Sequence, residues 1–213
     1  MVFLEKRKRD IDNHLMKSEN KRPEKGRSTL LFPDDYTVID IETTGFSPCR
    51  DAIIELSAIR VEGNEVSDSF TSLVNPGFHV SSFISSLTGI TDDMLVSAPV
   101  IREALPLFLD FVGESHIVGH NVNFDINFIY DNSLRILSKP FSNSFTDTMR
   151  LSRILLSLPH NTLSDLSCHY CVSYEGAHRA LTDCTITREC FRRLREDAIR
   201  RFPEKESFNG FFN

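Results

Sequence analysis

No apolar run in this chain approaches the roughly 18 residues that a membrane-spanning helix needs, so a bilayer span is excluded. Met1 to Asn20 is charged throughout and holds no apolar segment of the secretion-signal kind. The expected location is therefore cytoplasmic. There is no internal repeat and no low-complexity stretch, which removes repeat solenoids from consideration. A basic body is also missing. Residues 1–36 carry nine Lys/Arg against seven Asp/Glu, a net of +2, while the remainder carries 15 against 23, a net of −8. Together these give the −6 of the whole chain, and such a body disfavours broad electrostatic binding of a duplex. It does not exclude a nucleic-acid enzyme, because bound cations reverse the local sign. An even cysteine count is absent as well. Cys49, Cys168, Cys171, Cys184 and Cys190 make five, which reads as free thiols. Cys168 and Cys171 fall in a helical stretch and are expected as small core residues, a context that argues against zinc.

What is present fits one ordinary globular domain: 213 residues, 40% hydrophobic and 25% charged. Residues 1–35 read as a charged N-terminal extension, with Val2, Leu4, Ile11 and Leu15 spaced for a short amphipathic helix and Pro23 and Gly26 marking a linker. Lys6 to Arg9 reads as a charged helix face, or as a nuclear address or nucleic-acid arm. From Tyr36 the pattern is α/β. Strands are expected at Tyr36–Glu42, Ala52–Val61, Glu65–Val74, His116–Gly119 and Ser144–Thr148, with a Gly63-Asn64 hairpin and an Asn75-Pro76-Gly77 turn. Short helices fill 81–112, with Thr91 or Asp92 as an N-cap and a kink at Pro106. Longer helices follow at Asn123 to Leu137, after the fifth strand to about Leu158, and over roughly 162–171 and 178–200. Residues 36–202 form the main domain, and 203–213 form a Phe-rich tail. A meander followed by alternating helices and strands implies a mixed sheet covered by helices.

The most informative stretch is Val38-Ile39-Asp40-Ile41-Glu42-Thr43-Thr44-Gly45. Residues two apart on a strand share a face, so Asp40 and Glu42 point together while Ile39 and Ile41 enter the core. Two buried like charges cost several kcal/mol unless something neutralises them, and a divalent cation does so. Two further stretches carry acids: His120-Asn121-Val122-Asn123-Phe124-Asp125 and His178-Arg179-Ala180-Leu181-Thr182-Asp183. Taken singly, Asp125 reads as a partner of a helix dipole and His178 as a loop histidine. Arg188, Arg192, Arg193, Arg195, Arg200 and Arg201 read as a solvated helix face that alternatively supplies phosphate contacts.

In order, the three stretches resemble the Exo I, Exo II and Exo III motifs of the DEDD 3′–5′ exonucleases. His178, five residues before Asp183, matches the histidine branch. Val38–Gly45, Asn75-Pro76-Gly77 and Leu87-Thr88-Gly89-Ile90-Thr91 resemble the epsilon and PolC proofreading type. The resemblance covers about residues 36–195. Cys184 stands where Ala is common, and a polymerase part is lacking. The resemblance implies a ribonuclease H-like mixed five-stranded sheet and two divalent cations, Mg²⁺ or Mn²⁺. It implies Asp40, Glu42, Asp125 and Asp183 as metal ligands, with Asp40 shared between the ions and Asp125 acting through water. His178 becomes the general base. Thr43, Thr44, Gly45, Leu87, Thr88, His120 and Phe124 become substrate contacts, with Leu87 and Thr88 wedging the terminal base. The implied partners are the 3′ end of single-stranded DNA or RNA and a polymerase or other replication or repair protein; no membrane is involved. Two other readings stay open: an RNA-trimming enzyme of the same chemistry, and a non-catalytic module of a replication or repair assembly.

Overall fold

The computed structural model describes residues 22–202. These residues build β1 (Ser28–Thr29), β2 (Tyr36–Thr43), β3 (Ile53–Glu62), β4 (Glu65–Leu73), α1 (Ser82–Thr88), α2 (Asp92–Leu95) and α3 (Ile101–Val112). They continue with β5 (Ile117–Gly119), α4 (Asn123–Leu137), β6 (Phe145–Asp147), α5 (Thr148–Leu155), α6 (Leu163–His169) and α7 (Ala180–Arg201). The strands join in one mixed sheet of order β1-β6-β5-β2-β3-β4. β2, β3 and β4 are an antiparallel meander, and β5, β6 and β1 extend it in parallel. Helices flank this ribonuclease H-like sheet, and β2 lies at its centre.

The alternation of β2 assigns the two faces. Ile39 and Ile41 enter a core with Leu105 and Phe108 of α3 and Ile126 and Ile129 of α4. Tyr36 and Val38 enter a second core with Leu151 of α5, Leu166 of α6 and Phe191 and Leu194 of α7. Each such fully buried side chain contributes about 1.5–3 kcal/mol. Asp40 and Glu42 continue the Tyr36–Val38 face and therefore look toward α7. The Gly63-Asn64 hairpin forms with both residues at positive φ (57° and 68°), as its composition implies. Thr91 caps α2 by position only, without a side-chain bond, while the Asp92 carboxylate accepts from Val80 N (2.9 Å).

Three expectations need correction. The sheet has six strands and not five, because Ser28–Thr29 pairs with β6. The second half of the expected extension is also part of the body: Leu30 and Phe32 are buried in the α7-side core, with Phe32 stacked on Phe191 at 5.2 Å. Arg22 forks onto Asp131 of α4 with two bonds of 2.7 Å, and Tyr130 Oη donates to Pro23 O. The apolar run Leu30-Leu31-Phe32 is too short to show a period, yet two of its three side chains are buried in that core. The thiols differ too. Cys168 and Cys171 are exposed, because α6 stops at His169 and Cys171 turns at φ 53°, whereas Cys184 and Cys190 are buried. The amphipathic stretch to Asn20, the Lys6–Arg9 run and the Phe-rich tail lie outside the described residues. No described helix is long and apolar enough to cross a membrane.

Candidate active site

β2 brings Asp40 and Glu42 to the centre of the sheet, and the first turn of α7 brings Asp183 against them. One carboxylate oxygen from each lies within 4.8 Å of the other two. Close approach of α7 depends on the next residue, Cys184, whose small buried thiol sits 3.8 Å from Val38 O and 3.7 Å from Ser57 O. Asp125 arrives from the opposite helix layer, in the first turn of α4. It is 4% exposed, and its Oδ1 accepts from Ile41 N at 3.0 Å, the backbone between the two strand acids. Asp183 Oδ2 accepts from His178 N (3.2 Å), while its Oδ1 is buried without a hydrogen-bond partner.

The electrostatics follow from this crowding. Burial first, then the charges of Asp125, Asp183, Glu42 and Glu55, push the Asp40 carboxyl well above the usual range. Burial, then Asp183 and Glu55, raise Glu42 to about 8, with Arg179 opposing. Burial raises Asp125 against backbone hydrogen bonds, and raises Asp183 against the His178 N–H. Four acids shifted the same way lack compensating positive charge. An all-oxygen donor set with one orphaned, buried carboxylate oxygen fits a hard divalent cation.

His178 stands outside the cluster. It is exposed, at φ 66°, with its ring 6.2 Å from Tyr174 and perpendicular to it. Thr43 and Thr44 spend their hydroxyls on shaping the loop: Thr43 Oγ1 donates to Gly45 O (2.6 Å) and Thr44 Oγ1 accepts from Ala52 N (2.9 Å). A Cβ on Gly45 would lie 2.6 Å from the Asp51 carboxyl carbon, so a larger residue there would have to displace that carboxylate. Of the expected wedge pair only Leu87 is presented, 44% exposed. Thr88 is buried, its Oγ1 donating to Ile84 O (3.0 Å) and accepting from Ile90 N (3.1 Å). His120 Nδ1 meets Thr148 Oγ1 at 3.0 Å, and burial lowers its pKa to about 4. Phe124 packs on Phe128 with centroids 5.0 Å apart.

Two residues escaped the sequence reading. Phe46, directly after the Gly45 turn, is 86% exposed and edge-on to Phe124 at 6.5 Å, an apolar tip on the rim of the site. Glu55 is 2% exposed and lies opposite Glu42 in the β2–β3 register. A lone acid among Ile53, Ile54 and Leu56 was the available signal. The α7 arginines, in contrast, are occupied. Arg192 and Arg193 pair with Glu189 and Glu196, Arg195 with Asp34, Arg200 with Asp197, and Arg188 donates to Asn64 O. They form the paired, solvated face.

Residues 37–191 match the sequence model of the RNase_T family, described as Exonuclease. The chain is 40% identical over 168 residues to the DNA polymerase III subunit epsilon of Aquifex aeolicus, covering 78% of this chain and 83% of that protein. It is 40% identical over 171 residues to the PolC-type DNA polymerase III of Clostridium perfringens, covering 78% of this chain but only 12% of that much longer protein. Its fold is similar to E. coli exonuclease I in complex with a dA16 oligonucleotide (TM-score 0.67, 20% identity, 81% of this chain and 42% of that one). It is also similar to exonuclease X in complex with 5′ overhanging duplex DNA (TM-score 0.60, 22% identity, 82% and 96%). A family match that covers every clustered acid, with a relative matched over most of its length, places this chain in the exonuclease family.

Proposed function

We propose that the protein is a metal-dependent 3′–5′ exonuclease that hydrolyses single-stranded DNA from its 3′ end to nucleoside 5′-monophosphates. The observation that carries this reading is the Asp40–Glu42–Asp183 cluster, three carboxylates within 4.8 Å at the centre of the sheet. The relatives named as polymerase III subunits favour DNA over RNA and a replicative polymerase as partner.

Asp40, Glu42 and Asp183 would hold the cations, and Asp125 steadies the strand between them through Ile41 N. Bound there, two Mg²⁺ or Mn²⁺ ions supply an activated water and positive charge for the leaving 3′-oxygen. His178 swings in from its exposed turn to accept the proton of the attacking water; Gly176 at φ 75° shows how sharply that turn bends. Thr43, Thr44 and Gly45 hold the loop that seats the terminal nucleotide. Phe46 and Phe124 offer ring surface to its base, and Leu87 abuts the base from α1. His120, kept neutral by burial, offers a ring nitrogen without adding charge. Stacking and backbone contacts discriminate poorly among bases, so sequence preference is weak.

The test uses end-labelled single-stranded DNA and RNA of one sequence with Mg²⁺, Mn²⁺ or EDTA. Mononucleotides should appear from the 3′ end of DNA with either ion and not with EDTA. Asp40→Asn should lower turnover by about 10³-fold, comparable to removing a principal electrostatic stabiliser of the transition state. Efficient cutting of a circular single strand, or activity in EDTA, overturns the assignment, and faster digestion of RNA moves it to RNA trimming.

A further inference from the structure

Glu55 accepts three hydrogen bonds, and all of them come from the start of α7. Arg179 Nη2 donates to Oε1 (2.7 Å), Arg179 Nε to Oε2 (3.2 Å), and Ala180 N to Oε2 (3.0 Å). Arg179 is the N-cap of α7, and its carbonyl accepts from Asp183 N at 3.0 Å. His178 precedes it, and His178 N is bonded to Asp183 Oδ2. On the other side, Glu55 is register-paired with Glu42. One ion pair therefore ties β3, at the position paired with Glu42 of β2, to the start of α7, between His178 and Asp183.

The pair is poorly suited to be a device for stability alone. Its arginine side chain is 42% exposed while the glutamate is buried, and a buried charge gains little over an apolar replacement. α7 is already anchored by Cys184, Phe191, Leu194 and Ala198 in the core. What a planar guanidinium fork adds is direction, since it fixes the carboxylate and the backbone behind the arginine in one orientation. We infer that Arg179 and Glu55 are positioning residues whose ion pair sets the Asp183 carboxylate and the His178 turn against Asp40 and Glu42, and thereby governs cation affinity and turnover.

This rests on the nuclease reading of the same site, so the experiment includes a measurement free of catalysis. Full-length wild type, Arg179→Lys, Glu55→Gln and the double variant Arg179→Lys/Glu55→Gln are compared. Mn²⁺ binding is followed by electron paramagnetic resonance without nucleic acid, kcat and KM are measured on a short oligonucleotide, and the thermal midpoint is read in EDTA. Glu55→Gln keeps the shape of the side chain but not its charge, and Arg179→Lys keeps the charge but not the planar fork. Each should weaken Mn²⁺ binding and lower kcat by about 10-fold, the lower end for groups that orient metal ligands, with KM little changed. The double variant should be no worse than the weaker single, because the two residues act as one unit. Unchanged Mn²⁺ affinity and kcat in both single variants overturn the inference. So do losses that multiply in the double variant, or losses that merely follow a falling thermal midpoint. If the wild type binds Mn²⁺ but leaves DNA intact, the nuclease reading fails, while the Mn²⁺ measurements still decide the role of the pair.

Discussion

Helix α7 carries acids along its whole length, and the two halves surround them differently. In the outer half, Glu189 and Glu196 are each met by Arg192 and Arg193, and Asp197 by Arg200. In the first turn, Asp183 faces Asp40 and Glu42, and the nearby cation, Arg179, is already forked onto Glu55. The outer half holds charge at low cost by pairing it in solvent. The inner half keeps like charges together, half-buried, with every carboxyl pushed toward its protonated form. A fold retains such an arrangement against its own stability only where a ligand offsets it, so the contrast within one helix marks which charges are functional.

The sharpest break of this contrast is at His178, which belongs to the functional end without belonging to the acid cluster. His178→Ala should lower kcat by about 10²–10⁴-fold, the range for loss of a general base. Mn²⁺ affinity should stay near the wild-type value. Metal binding lost together with activity would instead make His178 a ligand and enlarge the acidic end by one member.

The buried side of α7 is tested at Phe32, which lies ahead of the family-matched residues. Phe32 is 2% exposed and stacked on Phe191. Phe32→Ala should cost about 3–5 kcal/mol in denaturant unfolding, as large aromatic truncations in cores do. Truncation at residue 35, which also removes Leu30, should prevent stable folding. Full stability of either protein would show that residues 22–35 merely lie on the surface of the domain.

The acid end should also make metal-free stability fall as pH rises. Glu42 is raised from 4.5 to about 8 in the folded protein. Its contribution is thus fully present below the unfolded value and is lost as pH climbs through about 8. Asp40, Asp125 and Asp183 are raised as well and act in the same direction. In EDTA the thermal midpoint should drop by roughly 5 °C between about pH 5 and pH 8.5, and Mg²⁺ or Mn²⁺ should recover most of it at the upper pH. A flat profile in EDTA would mean that the cluster carries little strain and that the two halves of α7 differ less than their geometry implies.

Much of this was legible in the sequence because period and spacing carry it. Two acids two residues apart within an apolar run define one face of a strand, and that face survives folding unchanged. Asp125 and Asp183 were readable only as a set, since one helix acid has many ordinary explanations. β1 was hidden because two residues, Ser28 and Thr29, make too short a strand to show alternation. Glu55 was hidden because its partner is 124 residues away, and only the register of β3 against β2 reveals that it faces Glu42. Thr88 turned inward because its hydroxyl closes the end of α1, a local hydrogen-bond choice that residue identity alone does not dictate.

The smallest effect is expected at the outer half. Arg192 reaches Glu189 through Nε (3.2 Å) and Nη2 (2.6 Å), and reaches Glu196 through Nη1. These are neighbouring-turn pairs on an exposed helix face, each worth about 0.3–0.5 kcal/mol. Arg192→Ala also leaves no acid stranded, because Arg193 stands 3.2 Å from Glu189 and 3.5 Å from Glu196. The stability loss should therefore be about 0.5–1 kcal/mol by denaturant unfolding, and it should shrink as salt screens the pair. Turnover should match the wild type, since the ladder is on the side of α7 away from Asp183 and its arginines are engaged by carboxylates. If Arg192→Ala instead weakened binding of a long oligonucleotide by about tenfold, with a shallower salt dependence, Arg192 would be contacting phosphate. The outer half would then have to be read as a second functional surface that trades its glutamates for nucleic acid.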